Sequence, residues 1–200
     1  MDLTIWYGSY HGRTKLEAEQ FGEALSKKYA TSDLSVTVKS LTSWDQDMSL
    51  RTPDAKDELH LFFLATHAAG GPTPDAQSFA LQLEKAGGDG DQTPETAGRK
   101  GGDNSSGSST ESSGSGLREI PHAVVGFGCD GWFYGDRFCL FPRQADRWLS
   151  AVSTRKVLPL QMCNETVPGF ANFGPQLDEW KARVCSFLDS RLSRGARIPA

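Results

Sequence analysis

Three short apolar runs in this chain each break off into a loop of glycines and small polar residues. Leu3 to Tyr7 runs into Gly8-Ser9-Tyr10-His11-Gly12-Arg13-Thr14, and Leu59 to Ala65 runs into Thr66-His67-Ala68-Ala69-Gly70-Gly71-Pro72-Thr73. Ala123-Val124-Val125 runs into Gly126-Phe127-Gly128-Cys129-Asp130-Gly131. Apolar strands that end in this way and lead into helices build an open α/β sheet. Ligands of that architecture sit at the carboxyl ends of the strands. Three loops at one edge then surround one site.

The segments between the loops agree with this reading. After the first loop, Leu16, Phe21, Ala24 and Leu25 recur at helical spacing, with Thr14 as a candidate cap and an end near Tyr29. Ser35 to Lys39 alternates Val36 and Val38 with polar residues, as an edge or second strand does. Leu59 to Ala65 is nearly continuous in apolar residues, as a central parallel strand covered on both faces requires. Pro74 opens a helix through Phe79, Leu81 and Leu83, since proline suits a first helical turn. The strand Ile120 to Val125 is followed by a helix from about Phe138 to Val152, bearing Phe141, Ala145, Trp148 and Leu149. A short strand is expected over Lys156 to Leu160. The last helix is expected over about Pro175 to Leu192, with Leu177, Trp180, Val184, Phe187 and Leu188. Five strands alternating with helices predict a doubly wound five-stranded parallel sheet with helices on both faces.

Residues 87–116 are Gly, Ser, Asp and Thr with no large apolar side chain. Such a stretch cannot bury enough surface to offset its ordering entropy. It reads as a disordered insertion within a single domain over residues 1–200, because the strand after it is needed to finish the same sheet. Its serines leave a phosphorylated regulatory loop as the other reading.

Composition excludes several classes. The net charge is -4, which opposes a nucleic-acid binder relying on a basic surface. No apolar run approaches the roughly 20 residues that span a bilayer, and Asp2 with the short Leu3 to Tyr7 stretch does not form a signal peptide. The four cysteines, at 129, 139, 163 and 185, form no CxxC pair or metal cluster, and read as reduced cytosolic thiols.

The loops discriminate among ligands. A nucleotide P-loop needs four residues between its glycines and a lysine. Gly8 and Gly12 enclose three, and Arg13 follows. Gly126 to Gly131 spells GxGxxG, but a dinucleotide fingerprint belongs on the first strand and opens directly into a helix. Here Trp132, Phe133 and Tyr134 follow. Cys129 as a nucleophile, with His122 or His67 as base, lacks the elbow of the GxSxG kind and reads as an unreactive thiol. What fits all three loops is a phosphate with a flat ring attached. Ser9, Thr14, the loop N–H groups and a helix N-terminus suit the phosphate, and His67 and Tyr134 suit the ring. Trp148 and Trp180 read as core; His60 and His122 read as structural. Arg191, Arg194 and Arg197 read as a solvated helix end.

With these residues in place, the chain resembles the flavodoxin-like FMN domains of diflavin reductases and wybutosine-synthesising tRNA enzymes. The family's Tyr-Gly-Ser-Gln-Thr-Gly-Thr-Ala loop is similar to residues 7–14. Its Ala-Thr-Tyr-Gly-Glu-Gly-x-Pro-Thr loop is similar to residues 65–73. Its Ala-Val-Phe-Gly-Leu-Gly-Asn strand, followed by Tyr and Phe, is similar to residues 123–128 with Tyr134 and Phe138. The resemblance implies FMN held non-covalently. The phosphate is expected on Ser9, Tyr10, His11, Gly12, Arg13 and Thr14, and the ring on Thr66, His67, Ala68, Ala69, Gly70 and Tyr134. Gly128, Cys129 and Asp130 are expected on the ring and ribityl chain, with Phe138 and Asn164 completing the shell. No catalytic residue and no metal is expected.

The chain departs from the family at His11 and Arg13, at Ala68-Ala69 in place of Gly-Glu, at Cys129-Asp130, and at Met162 to Glu165. Arg13 adds positive charge near the phosphate and Ala69 removes negative charge near the ring, so a flavin potential above that of an acidic flavodoxin is expected. The function implied is a cytoplasmic FMN-binding electron-transfer domain that shuttles single electrons from a separate reductase to an acceptor protein or enzyme. The alternative is a flavodoxin-like interaction module that has lost FMN. Neither membrane nor direct nucleic-acid binding is expected.

Overall fold

The structure is a computed structural model, and it describes residues 1–45, 57–67, 69–87, 121–129, 135–152, 155–164 and 173–195. Five strands form one sheet: β1 Asp2–Gly8, β2 Ser35–Ser40, β3 Glu58–Ala65, β4 His122–Gly128 and β5 Gln161–Asn164. Their order is β2-β1-β3-β4-β5, and every neighbouring pair is parallel. Four α-helices accompany them: α1 Arg13–Lys28, α2 Gln77–Gly87, α3 Leu140–Val152 and α4 Gly174–Gly195.

The alternation of side chains along each strand divides the core in two. Leu3, Ile5, Leu61, Phe63, Val125 and Phe127 pack with Ala18, Phe21 and Leu25 of α1 and with Leu177, Trp180 and Val184 of α4. Their neighbours Trp6, Phe62, Leu64 and Val124 pack on the other face with Phe79 and Leu83 of α2 and with Phe141, Ala145 and Leu149 of α3. Helices therefore cover both faces, and the inner strands β3 and β4 are buried almost throughout. His60 and His122 are both buried, and the Nδ1 of His60 accepts a hydrogen bond from the Trp6 indole at 2.9 Å.

Several local expectations need correction. Gly12, at φ 81°, precedes α1 with no side-chain cap, and Thr14 is buried inside the first turn. Leu16 and Leu81 are exposed, on the outer sides of α1 and α2. Pro74–Ala76 is a separate 3-10 turn ahead of α2. Helix α3 starts at Leu140, after Phe138. The last strand lies at Gln161–Asn164, while within residues 156–160 only Lys156 makes an isolated bridge, to His122. Pro159 has no N–H for a ladder, which defers pairing until the chain is past it. Gly87 ends α2; the rest of the expected insertion, residues 88–116, and Ile120 lie outside the described residues.

Candidate functional site

The chain leaves β1, one strand in from the edge, builds the edge strand β2, and returns on the other side of β1 as β3. The direction of winding reverses between β1 and β3, and such a reversal opens a crevice at the strand ends. A cavity of about 450 Å³ lies there, a size typical of small-molecule sites. The first loop contributes Ser9, Tyr10, His11, Arg13 and Thr14; the second contributes Ala65, Thr66 and His67. Gly128 and Cys129 come from the end of β4, and Arg137 from the turn Gly135–Arg137.

The first loop is anchored from below. A side chain at Gly8 would place its Cβ 3.0 Å from Ala76 Cβ and from Thr73 Oγ1. The Ser9 N–H donates to both carboxylate oxygens of Asp75, at 2.9 and 3.1 Å, and Thr73 Oγ1 donates to Asp75 Oδ1 at 2.5 Å. Asp75 thus ties the first loop to the exit of the second. The Oγ of Ser9 and the Oγ1 of Thr66 are buried and have no hydrogen-bond partner. Both residues line the cavity, and two buried hydroxyls without partners are costly, a cost that a polar ligand would relieve.

The field in the cavity is positive. The first N–H groups of α1 have no intrahelical partner and carry the positive end of the helix dipole. No acidic residue stands in that first turn. The Arg13 guanidinium lies over the Phe173 ring, 4.0 Å from its centroid, which holds it beside the loop. Among the described residues, no lining residue is Asp or Glu.

The second loop is a tight turn in which the His67 N–H donates to Gly71 O and the Gly70 N–H donates to His67 O. Gly70 has φ 86°, a left-handed value open to glycine at no steric cost. His67 meets Tyr10 edge to face, with ring centroids 4.7 Å apart, and Tyr10 meets His11 at 4.3 Å. At β4 a Cβ on Gly128 would fall 2.8 Å from the backbone N of Cys139. Cys139 is buried at φ 48°, just ahead of α3. All four cysteines are free, and burial pushes the Cys163 thiol up to about 12, which makes it inert.

Of the expected site residues, Ser9, Tyr10, His11, Arg13, Thr14, Thr66, His67, Gly128 and Cys129 come together around the cavity. Gly12, Ala69, Gly70, Phe138 and Asn164 do not line it, and Asn164 instead donates its N–H to Gln176 Oε1. Ala68, Asp130 and Tyr134 lie outside the described residues. Sequence reasoning missed Ala65 and Arg137. Arg137 stands within the aromatic stretch after the third loop, and no spacing rule marks a lone arginine there.

The donor set fits a phosphate joined to a flat ring. The orphaned hydroxyls, the helix N-terminus and Arg13 suit the phosphate, and Tyr10 with His67 forms an aromatic wall. Among the described residues no group of His, Cys, Asp and Glu could hold a metal ion, and no helix is long and apolar enough to cross a membrane.

Comparison with known proteins agrees with this geometry. The family model for flavodoxin matches residues 5–172. A cysteine-to-alanine mutant of flavodoxin from Pseudomonas aeruginosa superposes with a TM-score of 0.61 at 18% identity, covering 94% of this chain and 99% of that one. Flavodoxin from Streptococcus pneumonia TIGR4 gives 0.57 at 14% identity, covering 94% and 99%. A short-chain flavodoxin associated with a non-canonical PDU bacterial microcompartment gives 0.53 at 12%, covering 94% and 98%. No curated protein matches the sequence. Flavodoxin is itself a worked case of the strand-order rule used above, with its FMN at the β1/β3 reversal. The chain belongs to the flavodoxin family, which binds FMN.

Proposed function

We propose that this chain is an electron-transfer protein that carries FMN in the cavity at the β1/β3 reversal, takes electrons from a separate reductase and passes them to an acceptor protein. The observation that carries this reading is the pair of buried, unpartnered hydroxyls of Ser9 and Thr66, two residues that line one cavity at that position. FMN supplies one- and two-electron chemistry when bound; the protein supplies binding and electrostatics. Ser9 Oγ, the first N–H groups of α1 and Arg13 hold the phosphate. Thr66 and the backbone around Gly128 and Cys129 face the remainder of the ligand. Tyr10, more than half exposed, and His67 screen the ring edge from water while leaving it within reach of a docked partner.

Titration of FMN into the protein, followed by quenching of flavin fluorescence, tests this. Saturable one-to-one quenching at micromolar FMN is expected. Ser9→Ala should weaken FMN by about 1.5–3 kcal/mol, since it removes a hydrogen bond to a charged group, and Thr66→Ala by about 0.5–1.5 kcal/mol. Riboflavin, which lacks the phosphate, should bind far more weakly and be indifferent to Ser9→Ala. One observation favours the interaction module without FMN: the Ser9 N–H is committed to the Asp75 carboxylate. A colourless protein that quenches nothing would establish that second reading.

A further inference from the structure

Seven cations of the described residues rest on carboxylates. Lys15, Lys27 and Arg183 pair with acids one helical turn away, Lys28 with Asp189, Lys156 with Asp146, Lys181 with Glu17, and Arg191 with Asp57. The two guanidiniums of the cavity are not among them. Neither Arg13 nor Arg137 has a carboxylate partner among the described residues, and no acid lines the space they share. In a chain of net charge -4 this positive field is local and opposes the overall sign.

Arg13 is accounted for by the phosphate, since it belongs to the loop that carries Ser9. Arg137 is not. It is exposed, and its Cβ and Cγ lie 3.5 Å from the side-chain position of Gly70, in the turn closed by His67. It therefore stands beside the second loop, where the proposed function puts the ring. An oxidised flavin ring is neutral. On taking up two electrons and one proton it gains one net negative charge. A guanidinium with no carboxylate opposing it stabilises that charge and has little effect on the neutral ring.

We propose that Arg137 is a specificity-determining residue that makes the cavity hold reduced FMN in preference to oxidised FMN. This rests on the FMN reading above, and the experiment separates the two. The protein and its Arg137→Gln and Arg137→Lys variants are titrated with oxidised FMN by fluorescence. Each loaded protein is then reduced with dithionite against an equilibrating dye at pH 7, at low and high salt. Arg137→Gln should bind oxidised FMN within twofold of the parent and reduced FMN about tenfold more weakly. For a two-electron couple that is a fall of about 30 mV in midpoint potential. Arg137→Lys should keep most of the parent potential. The gap between parent and Arg137→Gln should shrink at high salt, because the side chain is exposed. An unchanged potential in Arg137→Gln, or equal weakening of both forms, overturns the proposal and leaves FMN binding standing. Absence of FMN binding by the parent overturns both.

Discussion

Ser9 carries two hydrogen-bonding groups, and the fold treats them differently. Its N–H is spent on Asp75, which fixes the loop, and its hydroxyl is buried with no hydrogen-bond partner. Gly128 is the counterpart on the third loop. Its hydrogen takes the place of a Cβ that would meet a backbone nitrogen at 2.8 Å. Backbone cannot swing aside as a side chain can, and Cys139 already holds a left-handed conformation. Gly128→Ala should therefore cost about 1–3 kcal/mol. At roughly 2–4 °C per kcal/mol for a domain of this size, thermal melting should show the loss. An unchanged melting temperature would mean that the third loop gives way. The sequence pointed to the first two loops, because a glycine or hydroxyl at a strand end has few other uses. Ser9, Tyr10, His11, Arg13, Thr14, Thr66 and His67 do line the cavity, while Gly12, Ala69 and Gly70 do not. It did not point to Arg137, since a surface arginine has many uses and only its place over Gly70 singles it out.

At the scale of elements, α1 and α4 are locked at one end by three polar side chains. Tyr29 Oη donates to Asp189 Oδ1 at 2.7 Å and to Cys185 O at 3.1 Å, and Lys28 Nζ donates to Asp189 Oδ2 at 3.1 Å. Burial, helped by the hydrogen bond to Asp189 and opposed by Lys28, pushes the Tyr29 hydroxyl up to about 12 from its usual 10. Hydrogen bonds from Tyr29 and Lys28 hold the Asp189 carboxyl below its usual value. A raised tyrosine pKa means that the folded state keeps the proton longer than the unfolded state. The stabilisation is thus whole below pH 10 and is lost as pH rises toward 12. Melting temperature should fall across that window in the parent and much less in Tyr29→Phe; parallel curves would show that the contact is idle. The elements themselves were largely readable, because period-two and helical patterns on buried faces leave little freedom. The exceptions are instructive. Leu16 and Leu81 obey helical spacing yet face solvent, since apolar spacing alone does not say which side meets the sheet. The apolar tendency of residues 156–160 suggested a strand that the missing N–H of Pro159 defers to Gln161.

For the whole molecule, the parallel sheet has two unlike ends. The cavity lies at the carboxyl ends of β1, β3 and β4. Helix α2 runs back across the sheet, so Gly87 and the first residue of β4 both belong to the opposite end, where Gly87 packs against Trp148 and Ala151 of α3. The span 88–120 is attached by both its ends there. Closing a flexible loop costs only about 0.6 kcal/mol more per doubling of its length. Replacing residues 92–116 with a short Gly-Ser link should leave FMN affinity within about twofold and the melting temperature equal or slightly higher; a large loss of affinity would show that this span reaches the site. The geometry thereby separates two kinds of inheritance. One end of the sheet is answerable to a ligand and tolerates little. The other, where Gly87 and the first residue of β4 lie away from the cavity, is where a change of length is expected to leave the first end undisturbed.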